Sequence, residues 1–131
     1  MHIIKIKTAK TDELIDITQH VEKLIPKNFS GLCNVFTKHS TAAILITENS
    51  DPQVRRDILT CLDKLAPKGV WKHDQVDGNG AAHVKAAIVG PQETVSVKDG
   101  KLQLGEWQGL ALAEFDGPRE REIIVTFAQH F

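Results

Sequence analysis

The chain has 131 residues, 41% of them apolar and 25% charged, the balance of an ordinary globular protein rather than a disordered one. Lys and Arg total 16 and Asp and Glu 17, a net charge of −1 with neutral histidines, which argues against an electrostatic nucleic-acid binder. The longest apolar run, Ala42 to Ile46, is far short of the ~20 residues of a membrane-spanning helix, so no membrane role is expected.

The opening residues Met1 to Lys7 alternate, with Ile4 and Ile6 on one face and Ile3, Lys5 and Lys7 on the other. That is strand periodicity, and it lacks the continuous apolar block of a secretory signal, so the expectation is a mature cytoplasmic chain. Asp16 or Thr18 then caps a short amphipathic helix through Val21, Leu24 and Ile25, with Pro26 near its end. Gly31 to His39 alternates again, Leu32, Asn34 and Phe36 against Cys33 and Val35, and Ala42 to Glu48 forms a second extended stretch after Ser40-Thr41. Asp51 as N-cap and Pro52 as first residue open the clearest helix, with Val54, Ile58, Cys61, Leu62 and Leu65 along one stripe and Pro67 as its stop. Cys33 and Cys61 both sit in apolar patterns and are expected to be buried thiols.

Residues 68–80 form a polar loop, and Ala81 to Ile88 a short helix closed by Gly90-Pro91. Val95 and Val97, Asp99-Gly100, then Leu102 and Leu104 make a hairpin. Trp107 to Glu114 is a strand, Phe115 to Pro118 a turn, and Ile123, Val125 and Phe127 mark the last strand. Strands surround helices without regular βαβ alternation. This predicts an α+β fold, one compact domain over residues 1–131, with a mainly antiparallel sheet and about three helices.

Three histidines stand out. His39 ends a strand, His73 lies in the polar loop and His83 is in the first turn of the short helix. Their spacing matches no compact zinc signature. Brought together, three neutral imidazoles would suit Zn²⁺ and leave a position open; separately they read as a strand-end cap, a loop residue and a helix-face residue. His2, His20 and His130 are given no role. Gly78-Asn79-Gly80-Ala81 puts small residues before a helix, which suits either an anion at exposed backbone N–H groups or a plain helix cap. Arg119 and Arg121 follow the Asp116-Gly117-Pro118 turn, made rigid by Pro118 with Gly117 supplying an unusual φ. One arginine at least begins the margin of a buried face. Its partner is either Glu114, Asp116 or Glu120, or a ligand phosphate.

His39-Ser40-Thr41-Ala42, Glu48-Asn49-x-Asp51-Pro52, His73, Gly78-Asn79, Ala82-His83-Val84-Lys85, Gly100-x-Leu102-x-Leu104-Gly105-x-Trp107-Gln108-Gly109 and Glu114-Phe115-Asp116-Gly117-Pro118-Arg119-x-Arg121, in this order, resemble the YjbQ family, also called uncharacterised protein family 0047. Ser40 departs from the family's usual Thr, and Glu106 from a small hydroxyl residue, which adds a carboxylate close to the supposed site. The resemblance implies a homotrimer with its polar blocks gathered near subunit contacts. It also implies a weak, secondary thiamine-phosphate synthase activity, which joins a pyrimidine diphosphate to a thiazole phosphate and releases pyrophosphate. Carried over by position, it implies His39, Glu48, Arg119 and Arg121 as catalytic candidates. Ser40, Thr41, Asn79, Gly80, Trp107 and Gln108 become substrate-binding candidates, and His39, His73 and His83 ligands for a divalent metal, Zn or Mg. The partner would be a small phosphorylated metabolite. Two other functions compete: a metal-dependent hydrolase, and a non-catalytic trimeric binder of a phosphorylated metabolite or a metal.

Overall fold

The computed structural model describes residues 1–129, so His130 lies outside the described residues. The elements are β1 (His2–Lys7), β2 (Glu13–Asp16), α1 (Thr18–Glu22), β3 (Gly31–Phe36), β4 (Ala42–Glu48), α2 (Pro52–Leu65), α3 (Gly80–Val89), β5 (Gln92–Lys98), β6 (Lys101–Leu102), β7 (Gln108–Glu114) and β8 (Glu120–Gln129), with a 3-10 turn at Lys72–Gln75. One sheet has the order β1-β8-β3-β5-β6 and the other β2-β7-β4. Every strand pairing among the described residues is antiparallel, giving the α+β class. No described helix is long and apolar enough to cross a membrane.

The layers follow from period-two alternation. In the three-stranded sheet, Ala42, Ile44, Leu110 and Leu112 face the larger sheet and meet Cys33, Val35, Val95, Val97, Ile123 and Val125. The alternate residues Ala43 and Ala113, with Leu14, face the other way, onto Leu62 of α2 and Ala82 and Ala86 of α3. The small sheet is thus covered on both faces. Gly109 to Phe115 is accordingly buried throughout, an almost continuous run of small and apolar residues. Ile17, just before α1, and Val21 within it pack into the same core. The outer face of the larger sheet keeps Ile3 and Leu32 about half exposed, at 53% and 48%.

Several local expectations need correction. The four-residue strand β2 carries too short a pattern to show period two. Thr18 is the first residue of α1 and not its cap; Ile17 precedes it, and Asp16 Oδ1 accepts the Thr18 N–H at 2.9 Å from one position further back. α2 starts at Asp51-Pro52 as read, with Asp51 Oδ1 accepting from Gln53 N. Its buried face is rotated, however: Ile58, Leu59 and Leu62 pack inward while Cys61 and Leu65 face solvent. The small sheet and α3 take the edge of the helix at Ile58, Leu59 and Leu62, which leaves the other edge of the stripe to solvent. Cys33 is the buried thiol, and burial pushes its pKa to about 11.

Candidate functional site

Three chain segments converge at one end of the β4–β7 ladder, where Ala42 pairs with Glu114. The first, residues 37–41, leaves β3 to enter the other sheet at β4 and carries Lys38, His39, Ser40 and Thr41. Its backbone is held by Thr37, whose N–H donates to Pro91 O and whose Oγ1 accepts the His39 N–H. The second is the start of α3, with Asn79 and His83. The third is the β7–β8 turn and the start of β8, with Asp116, Arg119 and Arg121. Together they line a polar cleft of about 400 Å³.

Beneath the cleft lies a buried ion pair. Arg121 is 2% exposed and Glu114 0%. Arg121 Nε donates to Glu114 Oε2 at 2.8 Å, and its Nη2 donates to Glu114 Oε1 (2.5 Å) and to Thr41 Oγ1 (2.8 Å). Thr8 Oγ1 donates to Glu114 at 2.8 Å, and Asp116 N–H donates at 2.9 Å. Burial pushes the Glu114 carboxyl up, but the hydrogen bonds from Arg121, Asp116 N–H and Thr8 outweigh it and hold it below its ordinary value. Arg121 therefore has a protein partner. Its fork is committed to Glu114 and Thr41, and it serves the cleft as a wall.

Arg119 is different. Its side chain is 54% exposed, and it binds Asp116 through Nε to the carbonyl (2.8 Å) and Nη2 to Oδ2 (2.9 Å). Asp116 Oδ2 also accepts from Asn79 Nδ2 at 2.9 Å, so the turn and the α3 start share one carboxylate oxygen. Asn79 Oδ1 is buried and has no hydrogen-bond partner among the described residues. Gly117 does not have the expected positive φ. Its requirement is space, because a Cβ there would lie 2.2 Å from Lys10 O.

His39 Nε2 accepts the Glu122 N–H at 3.1 Å, which places the ring proton on Nδ1. Burial, helped by the Arg121 guanidinium, lowers its pKa below the ordinary histidine value. His39 is thus a neutral ring with an N–H to offer. His83 lines the same cleft, and its ring centroid is 4.7 Å from that of His73 in an edge-to-face arrangement. His73 Nε2 lies 3.5 Å from Asp77 Oδ2. His73 is outside the cleft lining. His39 Nε2 is already hydrogen-bonded, and no group of three His, Cys, Asp or Glu among the described residues is arranged to hold a metal. The donor set as it stands does not fit the single Zn or Mg site that the resemblance implies.

The Gly80 backbone is also spoken for. Asp74 Oδ1 accepts the Gly80 N–H at 2.7 Å and its Oδ2 accepts the Trp71 N–H at 3.0 Å. Those two bonds hold the Asp74 carboxyl below its usual pKa. The anion at this helix start is the protein's own Asp74. Gly80 is required because a Cβ would lie 2.5 Å from Trp71 Cβ. Sequence reading missed Asp74; the clue is an acidic residue within reach of a Gly-initiated helix.

Glu48, Trp107 and Gln108 lie elsewhere. Glu48 pairs with Gln108 at the opposite end of the same ladder, six residues from the Ala42–Glu114 pair, or roughly 20 Å at the ~3.3 Å rise of a strand. They border two other clefts that meet at Trp107. Within one chain, then, the polar blocks form two groups, and Glu106 is with the second.

The whole chain can be placed among known proteins. The sequence profile of the YjbQ family, described as UPF0047 protein YjbQ-like, matches residues 2–130. The chain belongs to the YjbQ family. A UPF0047 protein of Methanocaldococcus jannaschii is 45% identical over 92% of this chain and 88% of its own length. The Bacillus subtilis UPF0047 protein YugU is 44% identical over 93% of this chain and 94% of its own. The crystal structure of a YjbQ-family protein from Clostridium acetobutylicum superposes with a TM-score of 0.91 at 44% identity, covering 98% of this chain and all of that one. A hypothetical protein of Aeropyrum pernix superposes with a TM-score of 0.93 at 33% identity, covering 98% of both chains. The two solved structures share this fold over nearly their full length, and one is described as uncharacterised and the other as hypothetical.

Proposed function

We propose that the cleft at His39, His83, Asn79 and Arg119 binds a small phosphorylated metabolite, and that its chemistry is a thiamine-phosphate synthase-type transfer. The observation that carries this is the convergence of Lys38, Arg119, the His39 ring N–H and the unpartnered Asn79 Oδ1 on one polar cleft. With Arg121 neutralised by Glu114, Lys38 and Arg119 face the single acidic residue Asp116. Such a surface favours an anion. Arg119 is half exposed, unlike Arg121, so a ligand oxygen can take the place of Asp116 Oδ2 on its Nη2. Asn79 Oδ1 needs a donor, which a ligand N–H or O–H supplies.

In the transfer, the pyrimidine methylene carbon loses its bond to the diphosphate oxygen and gains one to the thiazole ring nitrogen, and pyrophosphate departs with the bonding pair. The contribution of this chain is to hold the diphosphate and stabilise the charge that develops on it, through Arg119, Lys38 and the His39 N–H. Ser40 and Thr41 border the same space; Thr41 Oγ1 is already engaged by Arg121. A cytoplasmic homotrimer is part of this proposal. The half-exposed Ile3 and Leu32 on the outer sheet face support an assembly that covers them.

Calorimetric titration with pyrophosphate tests the binding, using wild-type protein, Arg119→Lys and Arg119→Ala. Weaker binding in the Lys variant and near-complete loss in the Ala variant are expected. Equal affinity in all three would overturn the site. Incubation with the two precursors and detection of thiamine phosphate by mass then tests the transfer, and binding without product would reduce the protein to a binder.

A further inference from the structure

The second polar group, around Trp107, has a feature that its own chain leaves unfinished. Asn49 is 7% exposed. Its Nδ2 donates to Leu110 O at 3.0 Å. That carbonyl also accepts from Ile17 N and Thr18 Oγ1, and it can only accept, so the amide cannot be turned over. The opposite end, Oδ1, has no hydrogen-bond partner among the described residues. The backbone of Asn49 is pinned as well, its carbonyl accepting from Arg55 Nη1. Gly109 makes room for the amide, since a Cβ there would lie 2.5 Å from Asn49 Nδ2. Leaving an acceptor buried and unpaired costs about 1–3 kcal/mol, so the fold holds this oxygen in place against a cost.

Asn49 lines a cleft of about 280 Å³. Its walls include Asp16, Glu22 and Glu106, with no Lys or Arg among them. Trp107, 66% exposed, stands at its edge and also borders the adjoining cleft with Glu48 and Asp51. The chemistry offered is a buried neutral acceptor, carboxylates and an open indole face. A phosphate is repelled by all three. A divalent ion finds no group of three ligating side chains among the described residues. A primary ammonium is matched by each element: an N–H for Oδ1, a positive charge for the carboxylates, and a cation for the indole face.

We propose that this cleft is a second site, separate from the phosphate cleft, which binds a small alkylammonium through Asn49 Oδ1, Trp107 and the carboxylates of Asp16, Glu22 and Glu106. It stands independently of the proposed transfer chemistry.

The test is tryptophan fluorescence of the full chain titrated with n-butylammonium chloride at constant ionic strength. 1-Butanol serves as the neutral counterpart and MgCl₂ as the hard cation. Saturable quenching by butylammonium with a Kd of about 1 mM or tighter is expected, and little response to the other two. Trp107→Phe should abolish the signal, which separates it from Trp71. The doubly neutralised variant Glu22→Gln/Glu106→Gln alters only exposed side chains, so it should fold normally and bind about tenfold more weakly. Asn49→Ala should lose binding; if it fails to fold, the double variant still decides. Four results would each overturn the proposal: no saturation, an equal response to butanol, an equal response to Mg²⁺, or unchanged affinity in the double variant. Emission that depends on protein concentration but not on the amine would also overturn it, because a second copy would then fill the cleft.

Discussion

Replacing Arg121 by Met would remove the guanidinium and leave the Glu114 carboxylate buried between the sheets with no counter-charge. Both groups are almost fully buried, at 2% and 0% exposure, so water does not screen the loss. Breaking such a pair from one side costs about 3–5 kcal/mol. With an unfolding entropy near 0.28 kcal/mol/K for 131 residues, the melting temperature should fall by about 11–18 °C. Arg121→Lys should also destabilise, because Lys cannot span Glu114 and Thr41 with a fork. Arg119→Lys, at a half-exposed pair, should cost under about 1 kcal/mol and shift melting by no more than about 4 °C. Thermal melting followed by circular dichroism, at one protein concentration, compares the three. The sign with pH is fixed too. The folded-state pKa of Glu114 is depressed in the wild type, so its stabilisation is present above the ordinary glutamate range and is lost as pH falls through the folded value. In Arg121→Met the desolvated carboxyl should instead be raised, and the deficit should shrink on acidification. An Arg121→Met protein melting within about 3 °C of wild type would refute the assignment of Arg121 to the fold.

Three further outcomes follow from the geometry. Cys61 should react with a thiol reagent in the native protein while Cys33, with its pKa raised to about 11, reacts only on unfolding; mass after labelling reads the count. Gly109→Ala should destabilise by about 1–3 kcal/mol in chemical denaturation, because its Cβ meets Asn49 and Thr18 at 2.5 and 3.0 Å, and an unchanged midpoint would deny that close approach. His39 should titrate below an unperturbed histidine by NMR, and since its folded pKa is depressed, its contribution to stability is present above about pH 6.5 and is lost as pH falls through the folded value.

The class of fold is readable because β1, β3 and β8 alternate, turning Ile6, Cys33, Val35, Ile123 and Val125 to the core, whereas β4 and β7, covered on both faces, read as unbroken apolar runs. The 99–100 turn is readable for a local reason: Asp99 and Gly100 both have positive φ, as a two-residue hairpin turn requires. Period alone does not say that the strands divide between two sheets, because Phe36 and Ala42 are close in sequence yet belong to different sheets. It does put one arginine at the margin of a buried face, where Arg121 meets Glu114, but it does not reveal the other buried cation. Lys85 sits on α3 at 1% exposure; burial lowers its pKa, but hydrogen bonds and charge from Asp63 and Asp12 outweigh that and raise it. Those partners lie on distant segments. The same holds for the site. His39, His83 and the 116–121 turn meet because β4, β7 and β8 bring their ends together, while Glu48 and Trp107, equally prominent in the sequence, are carried to the far end of the same ladder.

The central claim is that the His39–Arg119 cleft is where a phosphorylated ligand binds. The most direct measurement is an NMR titration with pyrophosphate, observing the histidine rings and tryptophan indoles together. Saturable shifts of the His39 and His83 rings are expected, abolished in Arg119→Ala, with the Trp107 indole unmoved. Shifts confined to Trp107, or His39 and His83 rings that ignore pyrophosphate, would contradict it.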